Sequence, residues 1–165
     1  MMYIRKATRE DVERIRFIVE ECWTAVSGDR ESRKKIYLAI NSFYSIRKLV
    51  DEINDNHSVY LLLIDEELAV AFASYKFTDT DTVSSELKAL YCLPMTQGKR
   101  FDELLLKEVI KNTVDAGRNK IQIEFSDYMR HTALFENFGF EIVEAHDVEK
   151  SRSGILIISR NLGIV

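Results

Sequence analysis

Apolar and polar residues alternate through MYIRKAT, Met2 to Thr8, as they do in a strand with one buried face. The period then changes. Val12, Ile15, Ile18, Val19, Cys22 and Trp23 recur at helical spacing and form the inward stripe of a helix. Thr8 can cap that helix, with Asp11 three residues on as a weak capping box. The next stretch, TAVSGDRESRKKIYLAINSFY, is less regular and predicts only a short helix around Ile36 to Ile40. A clear helix resumes near Ser45, with Ile46, Leu49, Val50 and Ile53 inward.

SVYLLLIDEELAVAFASYKF reads as two strands joined at Asp65–Glu67, a hairpin with a short acidic break. After the polar loop TDTDTVS comes a third strand, SELKALYCLP, ended by Pro94. Proline has no N–H to give to a ladder, so the strand stops or pulls away there. A helix runs from about Phe101 to Ala116 with Phe101, Leu104, Leu105, Val109 and Ile110 inward, and Gly117 supplies its left-handed stop. KIQIEF is a strand, RHTALFENFGF a short helix closed by Gly139, and FEIVEAHDV and SGILIISRNL are the last two strands. Helices interleaved with hairpins predict a mixed sheet. Its parallel pair should flank the central crossover helix, because parallel neighbours need a crossover. No repeat or linker interrupts the chain, so residues 1–165 are expected to form one domain.

Composition narrows the class. The 165 residues are 46% apolar and 30% charged, enough for a sizeable core and unlike a disordered chain. A net charge of −4 gives no overall basic footprint, so neither nucleic acid nor an anionic membrane is the expected partner. No apolar run approaches the ~18 residues of a membrane span. The opening MMYIRKATRED is charged almost at once and carries no secretory apolar core, so the cytoplasm is the expected location. Cys22 and Cys92, on a helix stripe and in a strand, read as buried, reduced thiols. His57, His131 and His146 lack ligand spacing, and no metal is expected.

The stretch that carries chemistry is LYCLPMTQGKRFDELLL, Leu90 to Leu106. A strand end feeds a polar loop and then a helix start, where unpaired N–H groups and the helix dipole favour an anion. Gly98 is the loop's only glycine, and Lys99 and Arg100 add two positive charges. Asp102 works the other way: a first-turn carboxylate stabilises the helix itself and competes with an anion for the same amides.

The element order, with ELKALYCLP followed by QGK and later ALFENFGF, resembles the GNAT superfamily, the Gcn5-related N-acetyltransferases, over essentially the whole chain. The resemblance implies an α/β (α+β) fold: a mixed, mostly antiparallel sheet of about seven strands with helices on both faces, strands 4 and 5 parallel and splayed. It implies direct transfer of an acetyl group from acetyl-CoA, a co-substrate, to a primary amine of a small molecule or peptide. Tyr91, Cys92 and Leu93 would lie along the pantetheine arm. Gln97, Gly98, Lys99, Arg100, Phe101 and Asp102 would form the diphosphate loop, and Phe135 would border the cofactor from the late helix. Glu86 is the candidate base, with Glu124 a second, and Tyr128 the candidate acid. Trp23, Tyr37, Phe43 and Tyr44 would border the acceptor, although aromatics at helical spacing also build cores.

Three residues depart from the family pattern most plainly. Its loop reads Gln/Arg-x-x-Gly-x-Gly/Ala, so Arg100 and Asp102 stand at small-residue positions. Its proton-donating tyrosine is matched by Phe135, which has no proton to give; Tyr128 or His131 could stand in. Cys92 as an acyl carrier is the weaker alternative to strand packing. The departures leave a second reading: a catalytically degenerate binding or regulatory module that does not turn over acetyl-CoA. The two C-terminal strands could carry a dimer contact, leaving a homodimer open.

Overall fold

The computed structural model describes residues 1–26, 29–125, 132–146 and 155–161. Its strands are β1 (Met2–Lys6), β2 (Ser58–Asp65), β3 (Leu68–Phe77), β4 (Ser84–Cys92), β5 (Lys120–Phe125), β6 (Glu141–His146) and β7 (Ile155–Asn161). The helices are α1 (Val12–Val26), α2 (Arg30–Phe43), α3 (Ile46–Asn54), α4 (Phe101–Asp115) and α5 (Thr132–Asn137). Among the described residues the strands form a seven-stranded sheet in the order β1-β2-β3-β4-β5-β7-β6. β4 and β5 run parallel, while β1 with β2, β5 with β7, and β6 with β7 run antiparallel. The mixed α/β sheet and its parallel β4–β5 pair are as the sequence predicts. No helix among the described residues is long and apolar enough to cross a membrane. The chain divides into two compact units, Met1–Ser74 with Ala89–Leu106, and Tyr75–Lys88 with Lys107–Val165.

In the first unit α1 buries Val12, Ile15, Ile18 and Val19 and half-buries Cys22 and Trp23, the stripe read from the sequence. Its entry is stapled by Asp11, which ends a short 3-10 turn. The Asp11 carboxylate accepts the Thr8 N–H at 2.8 Å, both Arg5 Nη atoms at 2.7 and 2.8 Å, and Arg14 Nη1 at 2.9 Å. Those bonds, Arg5 first, hold the carboxyl well below the usual carboxylate range against the opposing cost of burial.

Helix α2 is a correction: it spans Arg30–Phe43, not a few residues around Ile36. Asp29 caps it by accepting the Ser32 N–H at 2.7 Å. The apolar pattern is weak because Ile40 is the helix's buried residue, while Tyr37, Leu38 and Phe43 face solvent. In α3 Leu49 is buried and Val50 and Ile53 half-buried, but Ile46 is 50% exposed rather than inward, because it opens the helix directly after the Ser45 cap.

The β2–β3 hairpin turns on Glu66 (φ 48°) and Glu67 (φ 70°), two left-handed residues in a two-residue loop. That backbone suits the strand twist but usually takes Asn or Gly. Met1's amino group pairs with Glu66 at 3.0 Å across the turn.

In the second unit the start of β4 is pinned from several sides. Asp81 accepts the N–H groups of Val83 and Ser84 at 2.9 and 2.7 Å. Arg118 Nη1 donates to the Ser84 carbonyl at 2.6 Å, and its guanidinium lies 4.9 Å from the Phe77 ring centroid. The parallel ladder pairs Ser84–Leu87 with Lys120–Ile123. Helix α4 stops at Gly117 (φ 77°), where the Arg118 N–H returns to the Thr113 carbonyl at 3.0 Å. In α5 Phe135 is 1% exposed and meets Phe140 edge-on, ring centroids 5.5 Å apart.

Candidate functional site

The end of β4 and the loop into α4 lie within the first unit. Leu93's N–H donates to the Val70 carbonyl of β3 at 2.8 Å, so the strand stays paired one residue past Cys92. Neighbouring residues of a strand direct their N–H and C=O to opposite edges. Cys92 therefore presents its N–H and C=O to the edge away from β3, and its carbonyl there accepts the Cys22 thiol at 3.0 Å.

Pro94–Thr96 then form a 3-10 turn. The buried Thr96 fixes it by donating from Oγ1 to the Leu93 carbonyl at 2.6 Å. Lys99's N–H returns to the Thr96 carbonyl at 3.0 Å. Gly98 has φ 89° and Arg100 φ 60°. Positive-φ residues are a backbone element of anion nests, although the Lys99 N–H between these two is turned to Thr96. A non-glycine residue held there costs about 1–2 kcal/mol. Space for a ligand exists at Gly98, where an added Cβ would meet nothing within 4 Å.

The loop's charges are already engaged. Lys99 Nζ lies 3.6 Å from Asp65 Oδ2 and 5.6 Å from the Phe101 ring centroid. Arg100 Nη2 lies 2.5 Å from Glu103 Oε2. Both cations are exposed, so these pairs are weak and exchangeable. Asp102 Oδ1 accepts the Glu103 N–H at 2.8 Å, taking one first-turn amide of α4.

Beside the strand end sits an aromatic cluster. Trp23 Nε1 donates to Tyr91 Oη at 3.1 Å and its ring meets Tyr44 edge-on at 5.7 Å. Phe72 lies 5.6 Å from the Tyr91 ring and 6.2 Å from Tyr60, whose hydroxyl donates a short bond to Glu52. Burial raises the phenol pKa of Tyr44, Tyr60 and Tyr91, so all three stay protonated near neutral pH. Burial likewise pushes the Cys22 thiol up to about 11 and the Cys92 thiol up to about 12, the latter with the Asp102 carboxylate contributing. Nucleophilic sulfur is thiolate, so these values weigh against Cys92 as an acyl carrier.

Glu86, in the second unit, is bonded to Lys88 Nζ at 2.7 Å. Phe135 lies in that unit's core. Glu124 is a backbone member of β5 opposite Ile157. Tyr128 and His131 lie outside the described residues. Trp23 and Tyr44 share one cluster, whereas Tyr37 and Phe43 are 62% and 60% exposed and are not part of it. Sequence reading missed Tyr60, Phe72 and Glu52. Tyr60 and Phe72 carried a signal, as aromatics at same-face positions of apolar strands; Glu52 carried none beyond its place on a helix.

No protein-family model matches the chain, and no curated protein sequence does. Solved structures match it nearly end to end. The PaiA N-acetyltransferase from Thermoplasma acidophilum, in complex with coenzyme A, is 22% identical, with 98% of this chain and 99% of that one covered at a TM-score of 0.76. The ribosomal-protein-S18-alanine N-acetyltransferase from Escherichia coli is 14% identical, covering 100% and 96% at 0.74. The GCN5-related N-acetyltransferase from Rhodopseudomonas palustris is 16% identical, covering 97% and 95% at 0.71. At these identities the likeness is one of fold, and the chain has the fold of the GNAT acetyltransferases.

Proposed function

We propose that the chain is an N-acetyltransferase that takes an acetyl group from acetyl-CoA and passes it directly to a primary amine of a small molecule or peptide. One observation carries the reading. Arg100 replaces a glycine of the family pattern yet keeps the left-handed backbone, φ 60°, that a glycine would supply. The side chain has changed while the left-handed backbone has been kept at a cost in strain. The coenzyme A bound in the Thermoplasma PaiA structure supports the same reading.

Acetyl-CoA, when bound, supplies a thioester-activated acetyl group; the chain's own residues hold and orient it. In the loop from Gln97 to Asp102 the N–H groups of Gln97 and Lys99 are committed to the Pro94 and Thr96 carbonyls, so a diphosphate would be held by other amides of the Gly98–Asp102 stretch, with Lys99 and Arg100 released from Asp65 and Glu103 to balance its charge. Of Tyr91, Cys92 and Leu93, Cys92 has the N–H that can face a thioester carbonyl, since Leu93's is committed to Val70. Tyr91, held by Trp23, walls the strand end. Glu86 takes the ammonium proton, directly or through water, and its contact with Lys88 orients the carboxylate. Tyr128 is kept as the acid that protonates the departing thiolate. Coenzyme A is a fair leaving group without one, since a thiol pKa near 8.5 is not far above neutrality.

The test is incubation with acetyl-CoA and a panel of small amines and peptide amino termini, reading thiol release together with acetylated product by mass spectrometry. Acceptor-dependent thiol release is expected. Tight coenzyme A binding with no product on any amine would favour the degenerate module instead.

A further inference from the structure

The outward face of α2 gathers Arg30, Arg33 and Lys34 beside Tyr37 and Leu38 around an open hollow of about 510 Å³. The spacing places the five on one helix face. All are exposed, Tyr37 by 62% and Leu38 by 67%. No ion pair engages the three cations among the described residues. The local charge also runs against the chain as a whole. Arg30, Arg33, Lys34 and Lys35 face only Asp29 and Glu31 nearby in sequence, in a molecule of net charge −4. They crowd the positive end of a helix, where cations destabilise it. Neither stability nor burial explains that placement.

We infer that this hollow docks an acidic polypeptide segment carrying an apolar anchor. Charge complementarity selects the acid, since three unpaired cations surround the hollow. Tyr37 and Leu38 select the anchor, because they expose apolar surface beside the cations, and tyrosine and arginine are enriched at interfaces. Tyr37 and Leu38 beside the cations favour a peptide with an apolar side chain over a bare polyanion such as nucleic acid, which offers them none. The docking does not rest on acetyl transfer and is tested without it.

The probe is a fluorescein-labelled peptide of alternating glutamate and leucine, followed by anisotropy. A leucine-to-serine version, a lysine–leucine version and phosphatidylserine vesicles serve as comparisons. The glutamate–leucine peptide is expected to bind, and to weaken as salt rises from about 0.05 M to 0.5 M. Reversing the charges together (Arg30→Glu, Arg33→Glu, Lys34→Glu) is expected to weaken it about 10-fold or more. That variant puts acids at the positive end of α2 and so keeps the helix, which circular dichroism checks. Tyr37→Ser with Leu38→Ser should weaken it also. No anisotropy change, equal binding by the charge-reversed variant, equal binding of the lysine–leucine peptide, or binding of the vesicles in place of the peptide would overturn the inference.

Discussion

Asp102 is the residue whose replacement discriminates most. Its carboxylate accepts the Glu103 N–H at 2.8 Å, one residue past the loop amides proposed for a diphosphate. Two like charges about 4 Å apart repel by about 4 kcal/mol at an effective dielectric of ~20. Asp102 is half-exposed, and Lys99 and Arg100 adjoin it, so solvent and countercharge reduce this several-fold. About 1–2 kcal/mol remains, equivalent to roughly 5–30-fold in affinity. Asp102→Asn removes the charge while keeping an oxygen that can accept the Glu103 N–H. Asp102→Gly removes both and adds a helix-propensity cost of about 1 kcal/mol. Calorimetric titration with coenzyme A should therefore show tighter binding for both variants, with the gain shrinking at high salt for Asp102→Asn. Because the acid also stabilises the α4 start by about 0.3–1 kcal/mol, the free variants should melt slightly below the parent. Unchanged or weaker coenzyme A binding by Asp102→Asn would refute the repulsion and with it the placement of the diphosphate.

Arg100→Gly relieves a left-handed side chain, worth about 1–2 kcal/mol, and loses an exposed ion pair with Glu103, worth about 1 kcal/mol or less. Urea unfolding should find its stability unchanged or slightly higher, and a loss beyond about 1 kcal/mol would contradict the strain assigned to this residue. Asp11→Ala should cost about 2–3 kcal/mol at pH 7, from lost bonds to charged arginines. Arg5 and Arg14 are 36% and 56% exposed and can rehydrate, which keeps the cost at the lower end. Because the folded pKa of Asp11 is depressed, its contribution is complete above the unfolded value near ~3.9 and is lost as pH falls below it. The gap between wild type and Asp11→Ala should therefore close under acid in denaturant titrations, and a constant gap would be inconsistent. Cys22 and Cys92, pushed to about 11 and about 12, should react with a disulfide reagent at pH 8 about 100-fold or more slower than the same thiols in the urea-unfolded chain. A fast phase in the native protein would contradict their burial.

Residues that obey a period were readable in advance. The α1 stripe from Val12 to Trp23, the strand end at Pro94 and the stop at Gly117 each follow from side-chain spacing or backbone chemistry that needs no tertiary partner. Helix α2 was half lost because its exposed Tyr37, Leu38 and Phe43 blur the contrast on which periodicity depends. Glu66 and Glu67 mark the hairpin's place but not its left-handed turn, since glutamate gives no sign of tolerating it. The site was legible as a loop before a helix and opaque as an arrangement. Nothing local says that Lys99 meets Asp65 or that Cys22 meets the Cys92 carbonyl 70 positions on. Nothing local says that Arg100 adopts a glycine's backbone. These are choices of the folded chain, settled by packing between segments distant in sequence.

Thermal unfolding with and without acetyl-CoA probes the central proposal most directly. A ligand at about 100 times its dissociation constant adds about 2.7 kcal/mol, or roughly 5–10 °C for a chain of this size. A rise of that order, reproduced by coenzyme A and smaller with pantetheine, which lacks the diphosphate, is the expected result. An unchanged melting temperature at millimolar acetyl-CoA would contradict it.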